Sequence, residues 1–270
     1  MTSALAASPR VATPSRRARP ATAVAQLVGR SLTHSVRDAE ALLMAVLLPT
    51  IIMLLFVTVF GGAIQIPGVD YVDYIVPGVI VLCAGFGSSS VAVYVATDIQ
   101  NGIIDRFRTM PVPAYGVVVG HVVAGVLRNL IATGFVIGIG VLLGFRPAAG
   151  PGQWLAAFGL LLAFIVTITW LFAAIGLASG SPAAASSYGF VLLFLPYVSS
   201  GFVPIDTLPA WLAPFAKHQP LTLVIDATRA LLAGQAPGSG AYGALAWCAG
   251  IVTIAVAWSA WMFRRRAARR

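Results

Sequence analysis

An all-helical membrane protein of six spans is the fold class this sequence predicts, and three observations carry it. Of the 270 residues, 59% are hydrophobic and only 9% charged, far from the soluble norm. Several apolar runs reach the length of about 20 residues that crosses roughly 30 Å of hydrocarbon. The remaining charges gather between and beside these runs. The expected architecture has six transmembrane helices, an amphipathic N-terminal interfacial helix, a helix in the loop after the second span and a re-entrant helical hairpin at the outer mouth. It divides into a disordered tail over 1–20, one transmembrane domain over 21–263 and a basic tail over 264–270.

The first 20 residues are rich in Ala, Ser, Pro and Arg, a composition that does not build a core. The first apolar run begins near Ala41, too far in and too long for a cleaved leader. Residues 21–39 read as an amphipathic helix. Val24, Leu27, Val28, Leu32 and Val36 share one arc; Gln26, Arg30, Thr33, His34 and Arg37 share the other. Such a helix lies in the headgroup plane. The first span is expected over Ala41–Phe60, kinked at Pro49. A short loop from Gly61 to Tyr71 carries no basic residue, and the second span covers Val72–Thr97.

Asp98 to Ala114 is a charged island between two apolar stretches, D-I-Q-N-G-I-I-D-R-F-R-T-M-P-V-P-A. Read as one helix at about 100° per residue, Ile99, Ile103, Phe107 and Met110 share a face. Asp98, Asn101, Asp105 and Arg108 share the opposite one, and Arg106 falls at the apolar edge. Pro111 and Pro113 stop the helix, because proline lacks an amide proton and disfavours helix in the residue before it. The pattern fits an interfacial connector between spans or a docking knob for a soluble partner.

The third apolar stretch, Tyr115–Gly144, exceeds one untilted span. A span ending at Gly144 starts near Ala124, which leaves 115–123 in the inner interface. Arg128 then sits about one turn inside the inner leaflet, where it either snorkels or lines a polar cavity. Gly134, Gly138, Gly140 and Gly144 offer small-residue faces for helix packing. The fourth span is expected over Gln153–Ser179 and the fifth over Ala183–Ser200, after a tight turn with Pro182 opening the helix. Gly201-Phe202-Val203-Pro204 breaks the chain. Leu208–Ala216 and Leu221–Ala233 read as short helices at the outer mouth, the second closed by Gly234 and carrying Asp226 and Arg229 as an i, i+3 pair. The sixth span is Ala241–Phe263.

Six spans leave both termini on one side. The N-terminal segment, the 98–114 loop and the C-terminal tail together hold thirteen of the basic residues; the opposite loops hold Arg146, Lys217 and Arg229. The positive-inside rule makes the first side cytoplasmic. The arginine clusters abut the membrane, where anionic lipid is the expected partner and nucleic acid is not.

Enzyme chemistry is poorly supported. The chain has no G-x-x-x-x-G-K-[ST] phosphate loop, no G-x-S-x-G, no H-E-x-x-H and no C-x-x-C. His34, His121 and His218 are scattered and read as interfacial or loop residues, so no metal site is expected. Cys83 and Cys248 read as buried thiols, and Asp70 and Asp73 as solvated loop acids. No chain of intramembrane acids exists for a proton relay, which argues against an ion-coupled carrier. Phe86, Trp170, Phe172 and Tyr188 could meet an apolar substrate, though helix packing and lipid contact also account for them.

The stretch Gly102-Ile103-Ile104-Asp105-Arg106-Phe107-Arg108-Thr109-Met110-Pro111 is the most specific motif. With Gly201-Phe202-Val203-Pro204, Leu208-Pro209, Trp211, Pro220 and Arg229, and the order of elements from about residue 25, it resembles the permease subunits of type-2 ATP-binding-cassette exporters, in particular the daunorubicin-resistance type. The resemblance implies an all-helical permease domain in the bacterial plasma membrane that pairs with a second permease copy. It implies a separate ATPase subunit, which would hold the ATP and magnesium that this chain does not. The docking residues implied are Asn101, Gly102, Ile103, Asp105, Arg106, Phe107, Arg108, Met110 and Pro111. A possible substrate pathway runs past Phe86, Arg128, Trp170 and Tyr188, for amphipathic drugs or lipids. A membrane scaffold or assembly factor without transport is the alternative.

Overall fold

The computed structural model describes residues 28, 29, 31, 39–64, 66–103 and 115–268. The described residues form helices and turns, with a single isolated β-bridge between Ile66 and Val69. Five helices are long and apolar enough to cross a membrane. Helix α1 (Ala39–Leu55) runs on as a π-helical turn to Phe60. Then come α2 (Tyr71–Gln100), α3 (Tyr115–Leu142) and α4 (Pro151–Ala178), and α8 (Gly240–Ala268) closes the chain. Between α4 and α8 lie three shorter helices, α5 (Pro182–Leu192), α6 (Ala213–His218) and α7 (Pro220–Leu232).

The sequence sets the ends of these helices locally. Proline stands at the first position of α4, α5 and α7, where its missing amide proton costs no helical bond. The Gly150 N–H donates to Gln153 Oε1 at 2.8 Å, and the Ala184 N–H to Ser181 Oγ at 3.2 Å, satisfying donors that the first turns leave open. Gly234 closes α7 at φ 77°, the left-handed conformation that glycine adopts without steric cost.

The most buried helix is α2, which packs against α1, α3, α4, α5 and α7. Of its hydropathic window, 67% is buried, against 17% for α1 and 17% for α8, so α2 is the hub and those two are peripheral. Their outward faces, with Leu47, Ile51 and Leu55 on α1 and Leu245 and Ile254 on α8, are apolar because their solvent is lipid. Cys83 and Cys248 are free and buried; the Cys83 thiol donates to the Ala45 carbonyl at 3.3 Å.

The expected third span is one unbroken helix from Tyr115, as its length suggested. Its glycines behave differently from expectation. Among the described residues nothing comes within 4 Å of a Cβ built on Gly134 or Gly138, and the close contact belongs to Gly140, beside Val76 and Phe145. In the expected basic tail, α8 carries helix through Arg264–Arg266 to Ala268.

The expected fifth span, Ala183–Ser200, is not one continuous helix. The eleven residues of α5 give way to a 3₁₀ turn over Leu195–Val198, with Pro196 inside it. Gly189 lies against Phe172 and Ser89, Leu193 against Gly85 and Gly201 against Gly78. This segment therefore climbs antiparallel to α2 and reaches only the level of Gly78. At 1.5 Å per residue, that is roughly 10 Å short of the α2 start. A Cβ on Gly78 would run into the Gly201 backbone, so the two chains meet there main chain to main chain. The Gln219 side chain donates to the Val198 carbonyl, so α7 begins near that depth. It ends beside Ala148 in the loop before α4 and Gln153 in the first turn of α4, at the level of the α2 start.

Candidate functional site

Three features stand out: the α2 terminus, a polar seam between α2 and α3, and the hairpin at the other end.

Asp98 to Gln100 belong to the last turn of α2. The Asn101 N–H donates to the Thr97 carbonyl at 2.9 Å and the Gly102 N–H to the Ile99 carbonyl at 3.1 Å. Gly102 has φ 67°, and Ile103 is again helical. The expected single helix from Asp98 is thus broken at Asn101–Gly102, because the left-handed glycine turns the chain. Ile99 and Ile103 do not share one helical face. Instead, Ile99 packs against the cluster of Val91, Val95, Val117 and Leu177. Of the expected docking residues, Asn101 is exposed, and Gly102 and Ile103 are half-buried. Asp105, Arg106, Phe107, Arg108, Met110 and Pro111 lie outside the described residues, as does most of the expected N-terminal amphipathic helix.

A run of polar side chains follows the α2–α3 seam inward from this terminus. Asp98 Oδ2 and His121 Nε2 are 2.8 Å apart. The His121 ring lies nearly parallel to Tyr94, with centroids 6.2 Å apart, and the Arg128 guanidinium lies 5.4 Å from the Tyr94 centroid. Arg128 Nη2 donates to Ser90 Oγ at 2.9 Å. One residue on, Asn129 Nδ2 donates to Ser88 Oγ at 2.8 Å, and Ser88 and Thr169 are bonded at 2.9 Å. Because the Thr169 hydroxyl donates to the Ile165 carbonyl at 2.6 Å, Ser88 must be the donor to Thr169. The bonds then run one way, from α3 through α2 to the α4 backbone, and reinforce one another. Gly87 makes room for this: a Cβ there would overlap Asn129 Oδ1.

Arg128 is only 4% exposed, and its guanidinium turns inward to Ser90. Among the described residues its Nε and Nη1 have no hydrogen-bond partner. No carboxylate pairs with Arg128 among the described residues: Asp98 faces His121, and Glu40 is exposed.

The expected pathway residues do not converge. Trp170 lines an apolar groove of about 370 Å³ between α3, α4 and α8, with Tyr115, Val118, Ser259 and Phe263. Phe86 is half-buried, and Phe172 is fully buried against Gly189. Tyr188 is 60% exposed on α5.

At the opposite end, Arg229 fastens α7 to two other segments. Its Nε donates to the Tyr74 carbonyl at 3.1 Å, Nη2 to the Ser200 carbonyl at 2.6 Å and Nη1 to Asp226 Oδ1 at 2.6 Å. Its guanidinium carbon lies 3.9 Å from the Tyr74 ring centroid. The Ser200 hydroxyl donates to Asp226 Oδ1 at 2.6 Å, and the Tyr71 hydroxyl to the Phe202 carbonyl at 3.0 Å. Asp73 accepts the Arg146 N–H at 2.9 Å, so this acid anchors the 143–150 loop rather than merely facing water. A cavity of about 810 Å³ opens beside these residues, lined by Asp70, Asp73, Arg146, Asp226 and Arg229. Among the described residues no cluster of His, Cys, Asp or Glu could hold a metal ion.

Sequence reading found Arg128 and the Asp226–Arg229 pair. It missed Asp98–His121 and the Ser88–Asn129–Thr169 relay. The one available signal was polarity recurring on single faces of two apolar helices, at 90, 94 and 98 and at 121 and 128.

A bundle of long apolar helices, with a buried polar seam and a short helical hairpin at one end, defines a polytopic membrane protein of the transporter kind. The family profile described as ABC-2 type transporter matches residues 22–233, and the chain belongs to that family. It is 32% identical over 226 residues to the daunorubicin resistance ABC transporter permease protein of Streptomyces coeruleorubidus, covering 81% of this chain and 79% of the relative. It is 29% identical over 232 residues to the probable doxorubicin resistance ABC transporter permease protein of Mycobacterium tuberculosis, covering 83% and 82%. The proteins it resembles are transporter components, not enzymes in their own right.

Proposed function

We propose that this chain is the membrane-spanning subunit of an ATP-driven exporter of amphipathic drugs or lipids. Its names among relatives, daunorubicin and doxorubicin resistance permeases, support an amphipathic cargo. A separate ATPase subunit binds ATP and magnesium and docks on the 98–111 segment; a second permease copy completes the pathway. The observation that carries this reading is the family match across 22–233, together with the end of α2 at Gly102. There the most buried helix of the molecule passes directly into the segment that would meet the ATPase, so a push on that segment reaches the core. Ile103, Phe107 and Met110 supply apolar contact, and Asp105, Arg106 and Arg108 fix register through charge-assisted bonds.

The bundle lies in the bacterial plasma membrane with both termini cytoplasmic. The α5 helix and the turn after it form the fifth of six crossings, and α6–α7 form a re-entrant hairpin that roofs the outer mouth. The Trp170 groove, at the cytoplasmic end, is the entry for the apolar part of the cargo, and Arg128 in the α2–α3 seam is its polar contact, while Phe86 and Tyr188 stand apart from the groove.

The test is purification from the native membrane with identification of the bound partners and an ATPase assay. A stoichiometric ATPase subunit is expected. Charge reversal at Asp105 or Arg106 should abolish export and uncouple hydrolysis while the chain stays in the membrane. Unchanged export by both variants sinks the docking role. Recovery of no ATPase under mild detergent would favour a scaffold.

A further inference from the structure

We propose that Arg128 is the centre of an anion-recognition site in the α2–α3 seam, taking the phosphate or carboxylate headgroup of an amphiphile. This deepens the pathway role given to Arg128 above and rests on it. A guanidinium at 4% exposure with no acidic partner among the described residues is costly in an apolar bundle, where buried charges are normally paired. Nη2 has only the neutral Ser90 hydroxyl, and Nε and Nη1 have nothing. Those free N–H groups are what an oxyanion needs, since the planar fork matches carboxylate and phosphate oxygens. Ser90 and Tyr94, which hold Arg128, are themselves half-buried, so a modest separation of α2 from α3 exposes the fork. Arg128 lies thirteen residues into α3, about 20 Å along the helix from Tyr115. An amphiphile with its tail in the membrane can bring a headgroup to that level. The same fixed charge repels a quaternary ammonium.

The experiment uses the full chain in phosphatidylcholine nanodiscs, titrated with dodecyl phosphate, dodecyl maltoside and dodecyltrimethylammonium. Dodecyl phosphate is expected to bind about tenfold tighter than the other two, the size of one charge-assisted contact. Arg128→Gln should lose that preference while keeping an equal or higher melting temperature, because it removes an unpaired buried charge. Ser90→Ala frees Nη2 and should strengthen dodecyl phosphate binding a few-fold, which a merely structural role would not do. Equal affinity for all three amphiphiles, a preference retained in Arg128→Gln, or weaker binding in Ser90→Ala would overturn the proposal. Adding phosphatidylglycerol to the discs separates two sources of the same chemistry. Competition identifies a lipid headgroup as the occupant; its absence identifies the cargo. Because no ATPase is present, failure here leaves the ATPase-docking reading standing.

Discussion

The side chain with the most fastening roles is Arg229, which bonds two carbonyls and a carboxylate and covers the Tyr74 ring. Hydrogen bonds to charged groups contribute roughly 1.5–3 kcal/mol each. Arg229→Ala should therefore lower the melting temperature in detergent by several degrees. Arg229→Lys should restore less than half of the loss, because an ammonium cannot fork between Tyr74 and Ser200. Asp226→Asn should cost less than either, since both carbonyl bonds survive. Thermal unfolding of the three variants side by side checks the ranking. The Asp226–Arg229 spacing was legible in the sequence as a helical pair. That Arg229 also reaches Tyr74 was not, because its partner is 155 residues away and is a backbone atom that any residue would supply. His121 illustrates the same limit: nothing in its neighbours along the chain points to Asp98.

Among the elements, apolar length made α1 to α4 and α8 legible, with the expected second span lying inside the observed α2 and the expected fourth span overrunning α4 only by Ser179. Where proline and glycine intervene, periodicity alone misled. The 98–110 pattern reads as one amphipathic helix, yet Gly102 adopts φ 67° and ends α2 there. Any other residue at this turn has a Cβ opposed by its own backbone, at a cost of about 1–2 kcal/mol. Gly102→Val is expected to leave the amount of protein in the membrane unchanged and to reduce drug efflux from cells several-fold by re-aiming the segment that follows. An efflux assay against a membrane-fraction blot separates the two effects. The fifth expected span departs from one continuous helix for a related reason. Hydropathy cannot distinguish a continuous helix from an eleven-residue helix followed by a 3₁₀ turn, and Pro196 was the cue.

For the whole molecule, the distribution of arginine predicts sidedness, and accessibility can test it. Ser239 and Gln100 are exposed at opposite ends of the bundle, while the native cysteines are buried. Ser239→Cys should react with a membrane-impermeant maleimide in intact cells. Gln100→Cys should react only after permeabilisation. The reverse pattern would invert the orientation and remove the ATPase from its proposed seat. The meeting of Gly78 with Gly201 bears on how such a molecule can vary over time. A methyl group on Gly78 would overlap the Gly201 backbone, so neighbouring positions can drift with the lipid or the cargo while Gly78 stays bare. The spacing of α2 from the segment at Gly201 is consequently inherited as a fixed dimension, and change near it must be written in the residues around the pair.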